Sequence, residues 1–155
     1  MNAVLQPVEA RFVPMTVAHL DTVIALEHAA YPHPWTRGNF IDSMAAGYQV
    51  LLLMGGDEVL GYFVAMKGVD EAHLLNITVA SLHQRSGWAR MLLDALNLWA
   101  RQQGLQWIWL EVRVSNLRAQ NVYLAHGYRT VGERKHYYPA HNGLREDAVV
   151  MNLQL

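Results

Sequence analysis

Residues 72–114 hold the arrangement that most restricts the fold. An apolar run, "AHLLNITVA", leads into a basic loop, "QRSGWAR", then a helical stretch, then a second strand, "QWIWLEVRV". The spacing predicts a helix from Trp88 to Gln103, because Met91, Leu92, Ala95, Leu96 and Trp99 fall on one stripe. Gly104 is placed to end it. Strand, helix and strand in this order form a βαβ crossover, which sets two strands of one sheet side by side. In the second strand Ile108, Leu110 and Val112 share one face, and Trp107 and Trp109 share the other with Glu111 and Arg113. Both faces are expected to be buried, as in a central strand.

The rest of the chain supplies hairpins and short helices. "YQVLLLM" and "EVLGYFVAMKGV" flank Gly55-Gly56-Asp57, a hairpin signal. "ARFVPM" reads as a first strand. Thr16 then caps a helix in which Leu20, Val23, Ile24 and Ala30 follow at helical spacing. "YPHPW" ends that helix, since its prolines cannot continue it, and Thr36 caps a second helix through Met44. Asn116 caps a further one through His126, where Gly127 stops it. Two strands close the chain, near Tyr128–Tyr137 and Asp147–Leu155. The order β-α-α-β-β-β-α-β-α-β-β predicts an α/β (α+β) fold, with a mixed sheet and helices on both faces. With no linker or repeat, residues 1–155 read as one domain.

Composition removes several function classes. There is no cysteine, so disulfide frameworks, thiolate metal sites and thiol nucleophiles are excluded. A net charge of -1 does not suggest a nucleic-acid binder. No apolar run reaches the roughly 18 residues of a membrane span. The start, "MNAVLQPVEARF", lacks the pattern of a secretory leader, and a cytoplasmic protein is expected. The chain has eight histidines, but none falls in a metal-binding spacing, so no metal is expected.

The loop "QRSGWAR" admits two readings. One is a plain strand-to-helix turn. The other is a phosphate cradle, because a helix N-terminus presents unpaired N–H groups and a positive dipole end. Gly87 permits close backbone approach, Ala89 leaves room, and Arg85 and Arg90 can add charge-assisted bonds. Neither a P-loop nor a dinucleotide fingerprint is present. Elsewhere, Glu111 sits in an apolar strand where burial would raise its pKa toward that of a base. A salt bridge with Arg113 or another basic group is the alternative. Tyr123 reads as core or as an acid, and Asn116 as a helix cap. Glu146 and Asp147 read as a solvated strand end or as a lure for a basic substrate tail.

The loop, together with "NITV", "WLEVRVSN", "AQNVYLAHGY", "YYP" and "REDAVVM", resembles the GCN5-related N-acetyltransferase (GNAT) superfamily. The likeness spans nearly the whole chain and points to the ribosomal-protein-alanine N-acetyltransferase (RimI-type) branch. It implies a mostly antiparallel sheet with a splayed parallel pair. It implies acetyl-CoA as cosubstrate, its pyrophosphate on Arg85, Ser86, Gly87, Trp88, Ala89 and Arg90. Pantetheine would pair with the backbone of Ile77, Thr78 and Val79, and Asn116 and Tyr123 would also touch the cofactor. Glu111 would accept the amine proton and Tyr123 would protonate the thiolate. Trp35, Tyr137 and Tyr138, with Glu111, would line the acceptor site. Trp88 departs from the smaller aliphatic residue usual in the family, and Ala89 from the commoner glycine.

The acceptor implied is a protein N-terminus, an alanine of a small-subunit ribosomal protein. Lysine side chains or a small amine are the alternative, and a non-catalytic acyl-CoA sensor is the alternative of another class. Transfer is expected to be direct, since no cysteine can form a thiol acyl-enzyme. The protein is expected to be a monomer or weak dimer, with no direct nucleic-acid or membrane partner.

Overall fold

The computed structural model describes residues 9–155, so the first eight residues of "MNAVLQPVEARF" lie outside the described residues. Seven strands form one sheet: β1 (Ala10–Pro14), β2 (Gln49–Gly55), β3 (Glu58–Lys67), β4 (Glu71–Val79), β5 (Trp107–Arg113), β6 (Arg129–Pro139) and β7 (Arg145–Gln154). Four helices accompany them: α1 (Leu20–Ala30), α2 (Arg37–Ala45), α3 (Trp88–Gln102) and α4 (Leu117–His126). The sheet order is β1-β2-β3-β4-β5-β7-β6. Every neighbouring pair is antiparallel except β4 and β5, the crossover pair flanking α3.

The sheet separates two cores. On one side Leu92, Leu93, Leu96 and Ala100 of α3 and Tyr123 of α4 pack on Phe63, Leu74, Ile108 and Leu110. On the other, Leu20 and Val23 of α1 and Phe40 of α2 pack on Leu52, Tyr62 and Val64. The alternation expected for β5 holds, with Ile108, Leu110 and Val112 buried toward α3 and α4. Its other face is only half covered, because α1 and α2 pack on residues of β2 and β3. The expectation that both faces are buried is corrected accordingly.

Local chemistry explains the helix boundaries. Thr36 forms a capping box with Asn39, accepting from its N–H at 3.2 Å while Asn39 Oδ1 accepts from the Thr36 N–H at 2.9 Å. Thr16 caps not α1 itself but a 3-10 turn, Val17–His19, which runs directly into it. Asn116 caps α4, its Oδ1 accepting from the Ala119 N–H at 3.1 Å.

One irregularity shapes everything that follows. Between Val64 and Ala65 the β3–β4 register shifts, leaving Leu75 as an extra residue on β4. Such a bulge reverses the alternation beyond it. Ala72 and Leu74 face α3 before it, and Ile77 and Val79 pack against that same core after it. Asn76 and Thr78 are thereby turned toward α1. Here β3 also runs unusually close to β4: a Cβ on Gly61 would lie 2.5 Å from the Thr78 carbonyl oxygen, so only glycine fits.

Candidate active site

The β4–β5 ladder is short. Pairing runs from Glu71–Trp107 to Leu74–Leu110 and goes no further. Beyond it, Asn76–Val79 pair only with β3, and Glu111–Arg113 only with β7. The two strands therefore diverge, and the sheet opens in its middle.

The β4 side of the opening is held by a buried polar network. Glu27 of α1 is 1% exposed. Its Oε1 accepts from the Tyr62 hydroxyl at 2.6 Å and the Asn76 amide at 3.0 Å, and its Oε2 from the Trp35 N–H at 2.9 Å. Thr78 Oγ1 lies 2.8 Å from Asn76 Oδ1 and 2.8 Å from the Tyr31 hydroxyl. Tyr31 donates to the Ile77 carbonyl at 2.9 Å, so part of the open backbone edge is already engaged. Burial pushes the Tyr31 phenol up to about 12. Burial, and then the Glu27 charge, push Tyr62 up further.

The β5 side carries Glu111, the first residue past the paired ladder. Its side chain is 7% exposed. Oε2 lies 2.5 Å from His73 Nε2, and Oε1 lies 3.2 Å from Arg134 Nε. The salt-bridge alternative is thus present, made with other basic groups, His73 and Arg134, rather than with Arg113. Arg113 pairs with Glu146 at 3.0 Å and lies over the Tyr138 ring, 4.6 Å from its centroid. Tyr137 packs edge-on against Tyr138, with centroids 4.8 Å apart, and Arg134 lies over it. Burial, and then the Tyr137 and Glu111 charges, push the Tyr138 phenol up.

These tyrosines reach the site because β6 carries extra residues between Arg134 and Tyr138. Asp147 holds that bulge by accepting from the His136 N–H at 2.9 Å, and Arg145 donates to the His136 and Tyr137 carbonyls. Glu146 accepts from the Ser115 N–H at 3.0 Å as well as from Arg113. Both carboxylates are therefore engaged within the chain.

Tyr123 is 8% exposed. Burial pushes its phenol well above the ordinary range, and the nearby Tyr31, Tyr128 and Tyr138 add to the shift. Trp35 packs on Phe40, ring centroids 5.2 Å apart, as an anchor of the α1–α2 connection. His33 and His141, 6.2 Å apart, bring that connection to the β6–β7 turn.

The loop before α3 has the expected form. Gly87 is its N-cap at φ 82°, ψ 5°, a left-handed conformation, and no side chain caps the helix. Arg85 is also left-handed, at φ 63°. Arg85, Ser86 and Arg90 are exposed, and Ala89 is half-buried. Trp88 is half-buried against the α3 core, so the bulky residue serves as packing. Arg118 of α4 ties the loop down by donating to Gln84 at 3.1 Å.

Comparison with known proteins places this geometry. Residues 20–128 match the model of the acetyltransferase (GNAT) family. The chain belongs to the GNAT acetyltransferases. One relative is the [ribosomal protein bS18]-alanine N-acetyltransferase of Haemophilus ducreyi, 37% identical over 87% of this chain and 93% of that one. The crystal structure of the ribosomal-protein-S18-alanine N-acetyltransferase from Escherichia coli superposes with a TM-score of 0.86 at 30% identity, covering 94% of each chain. A GNAT family acetyltransferase from Elizabethkingia anophelis with acetyl-CoA bound shares the fold, with a TM-score of 0.76 at 22% identity over 94% of this chain and 98% of that one. The splayed parallel pair in a mostly antiparallel sheet is the GNAT arrangement expected above.

Reading the residues in order misses Glu27, Tyr31, His73 and Arg134. A glutamate inside the apolar face of α1 was the available signal for Glu27. His73 and Arg134 carry no such signal, because each meets Glu111 only through long-range strand pairing.

Proposed function

We propose that this GNAT acetyltransferase moves acetyl from acetyl-CoA directly to the α-amine of a protein N-terminus, an alanine of a small-subunit ribosomal protein. The observation that carries this reading is the opened β4–β5 ladder with Glu111 as the first residue beyond it. The names of the relatives supply the acceptor class.

In this reading the bare N-terminus of α3, with Arg85, Ser86, Gly87, Trp88, Ala89 and Arg90 around it, receives the pyrophosphate. The backbone of Ile77, Thr78 and Val79 receives pantetheine, and Asn116 and Tyr123 lie toward the same opening. The acceptor enters from the opposite mouth, between Trp35 and the Tyr137–Tyr138 pair. Arg134 already places a cation at Glu111 Oε1, 3.2 Å away. The substrate ammonium replaces that exposed guanidinium, and Glu111 takes its proton. The freed amine attacks the thioester carbonyl, the C–S bond breaks as the new C–N bond is completed, and the second proton leaves the new amide nitrogen to restore the Tyr123 phenol once that phenol has protonated the thiolate. Tyr123 gives its proton to the departing thiolate. Burial keeps that phenol protonated through neutral and mildly alkaline pH, as a donor requires.

A peptide panel with acetyl-CoA, read by mass spectrometry, tests the acceptor. Ribosomal-protein peptides starting with alanine should gain one acetyl group on the α-amine. Turnover confined to lysine side chains or to small amines would overturn the acceptor assignment.

A further inference from the structure

Glu111 has two partners of different kinds. Arg134 is a permanent cation, since a guanidinium does not lose its proton in proteins. His73 is not permanent, because imidazole changes charge within the working range of enzymes. It approaches Oε2 at 2.5 Å from β4, one residue before the last paired position of the ladder. The imidazole thus bridges the two strands where they begin to part. Its side chain is 27% exposed against 7% for Glu111, so His73 connects the buried carboxylate to water.

We infer that His73 is a positioning residue that holds Glu111 across the mouth of the splay and sets, through its own charge, whether that carboxylate can act as a base. A neutral ring donating from Nε2 fixes the carboxylate's orientation while leaving its negative charge available. A cationic ring gives Glu111 a second positive neighbour beside Arg134, which competes with the substrate ammonium for the carboxylate. When the substrate ammonium displaces Arg134 from Oε1, His73 keeps Oε2 in place. No bond is made to His73 in the reaction. The proton moves from the ammonium nitrogen to Glu111 alone.

The surroundings leave His73 as the group with this role. From β6 the pair is faced by Arg134, Tyr137 and Tyr138, one fixed cation and two phenols that burial pushes up. The cross-strand neighbours of His73 are Trp109 on β5 and Met66 on β3, and neither brings a charge.

The inference rests on Glu111 being the base, so the test separates the two. The measurement is kcat against pH, at saturating acetyl-CoA and alanine-starting peptide, for the parent, His73→Gln, His73→Leu and Glu111→Gln. Glutamine keeps an N–H toward Oε2 but cannot titrate, and leucine keeps neither. The parent should fall on the acid side with the slope of two coupled groups. His73→Gln should fall with the slope of one and exceed the parent about five- to tenfold at the acid end. His73→Leu should lose about tenfold in kcat at the plateau, through lost orientation, with both KM values within about twofold of the parent. Profiles of both His73 variants that superimpose on the parent, with Glu111→Gln inactive, would overturn the role of His73 and leave the base in place. Parent rates in Glu111→Gln would overturn the base and this inference with it.

Discussion

Two buried carboxylates flank the opening in the sheet, and their partners differ in kind. Glu27, on the β4 side, is held by a phenol, an amide and a backbone N–H, all neutral donors. Glu111, on the β5 side, is held by a guanidinium and an imidazole. Neutral donors fix a carboxylate without competing for the place of a cation. The Glu27 set ties α1 to β3, to β4 and to the connection bearing Trp35, so it builds the wall of the site. Charged partners can be exchanged for a substrate cation or change charge themselves, so the Glu111 set is suited to chemistry. Burial alone does not distinguish the two, and Glu27 is the more buried.

This contrast breaks if the effects of mutation fall on the wrong side. Glu27→Ala leaves two buried donors and one part-buried donor unsatisfied and should cost about 3 kcal/mol of stability, roughly 150-fold in the folding constant. Urea unfolding measures it, and a loss of activity without a loss of stability would reverse the assignment. Glu111→Gln should show the opposite pattern, with kcat near pH 7 falling about 100-fold while acetyl-CoA affinity stays within about twofold. Gly87→Ala sharpens the contrast from a third position. A Cβ there meets nothing within 4 Å, so the cost lies in the left-handed backbone, about 1 kcal/mol. Acetyl-CoA titration should show about fivefold weaker binding from the disturbed helix start.

The order of elements was legible because local signals set it. Proline, glycine and capping residues marked the ends, and Asn116, Thr36 and Gly87 take the roles their residue types suggested. The candidate site was legible where a residue type stood out from its surroundings, as with the glutamate in the apolar strand β5. It was not legible where duty depends on register. The bulge at Leu75 decides that Asn76 and Thr78 face α1, yet nothing in "HLLNITV" locates the extra residue. His73 and Glu111 are 38 positions apart and meet only because α3 returns the chain in parallel. The bulge in β6 depends on Asp147 and Arg145 of the partner strand, contacts that only the β6–β7 pairing creates.

The opening between β4 and β5 amounts to an edge turned inward. Outer edges of sheets invite other chains, and here they are short or irregular: β1 has five residues, and β6 is bulged. The inner edge is guarded instead by width. Strands sit about 4.8 Å apart, so a slot that begins where two of them part admits a slender molecule able to pair as a strand does. Pantetheine, a linear arm with two amides, fits that description, and compact metabolites do not. Under the proposed function, selection by outline precedes selection by charge, and the molecule that completes the sheet would bring its thioester toward Glu111 and Tyr123.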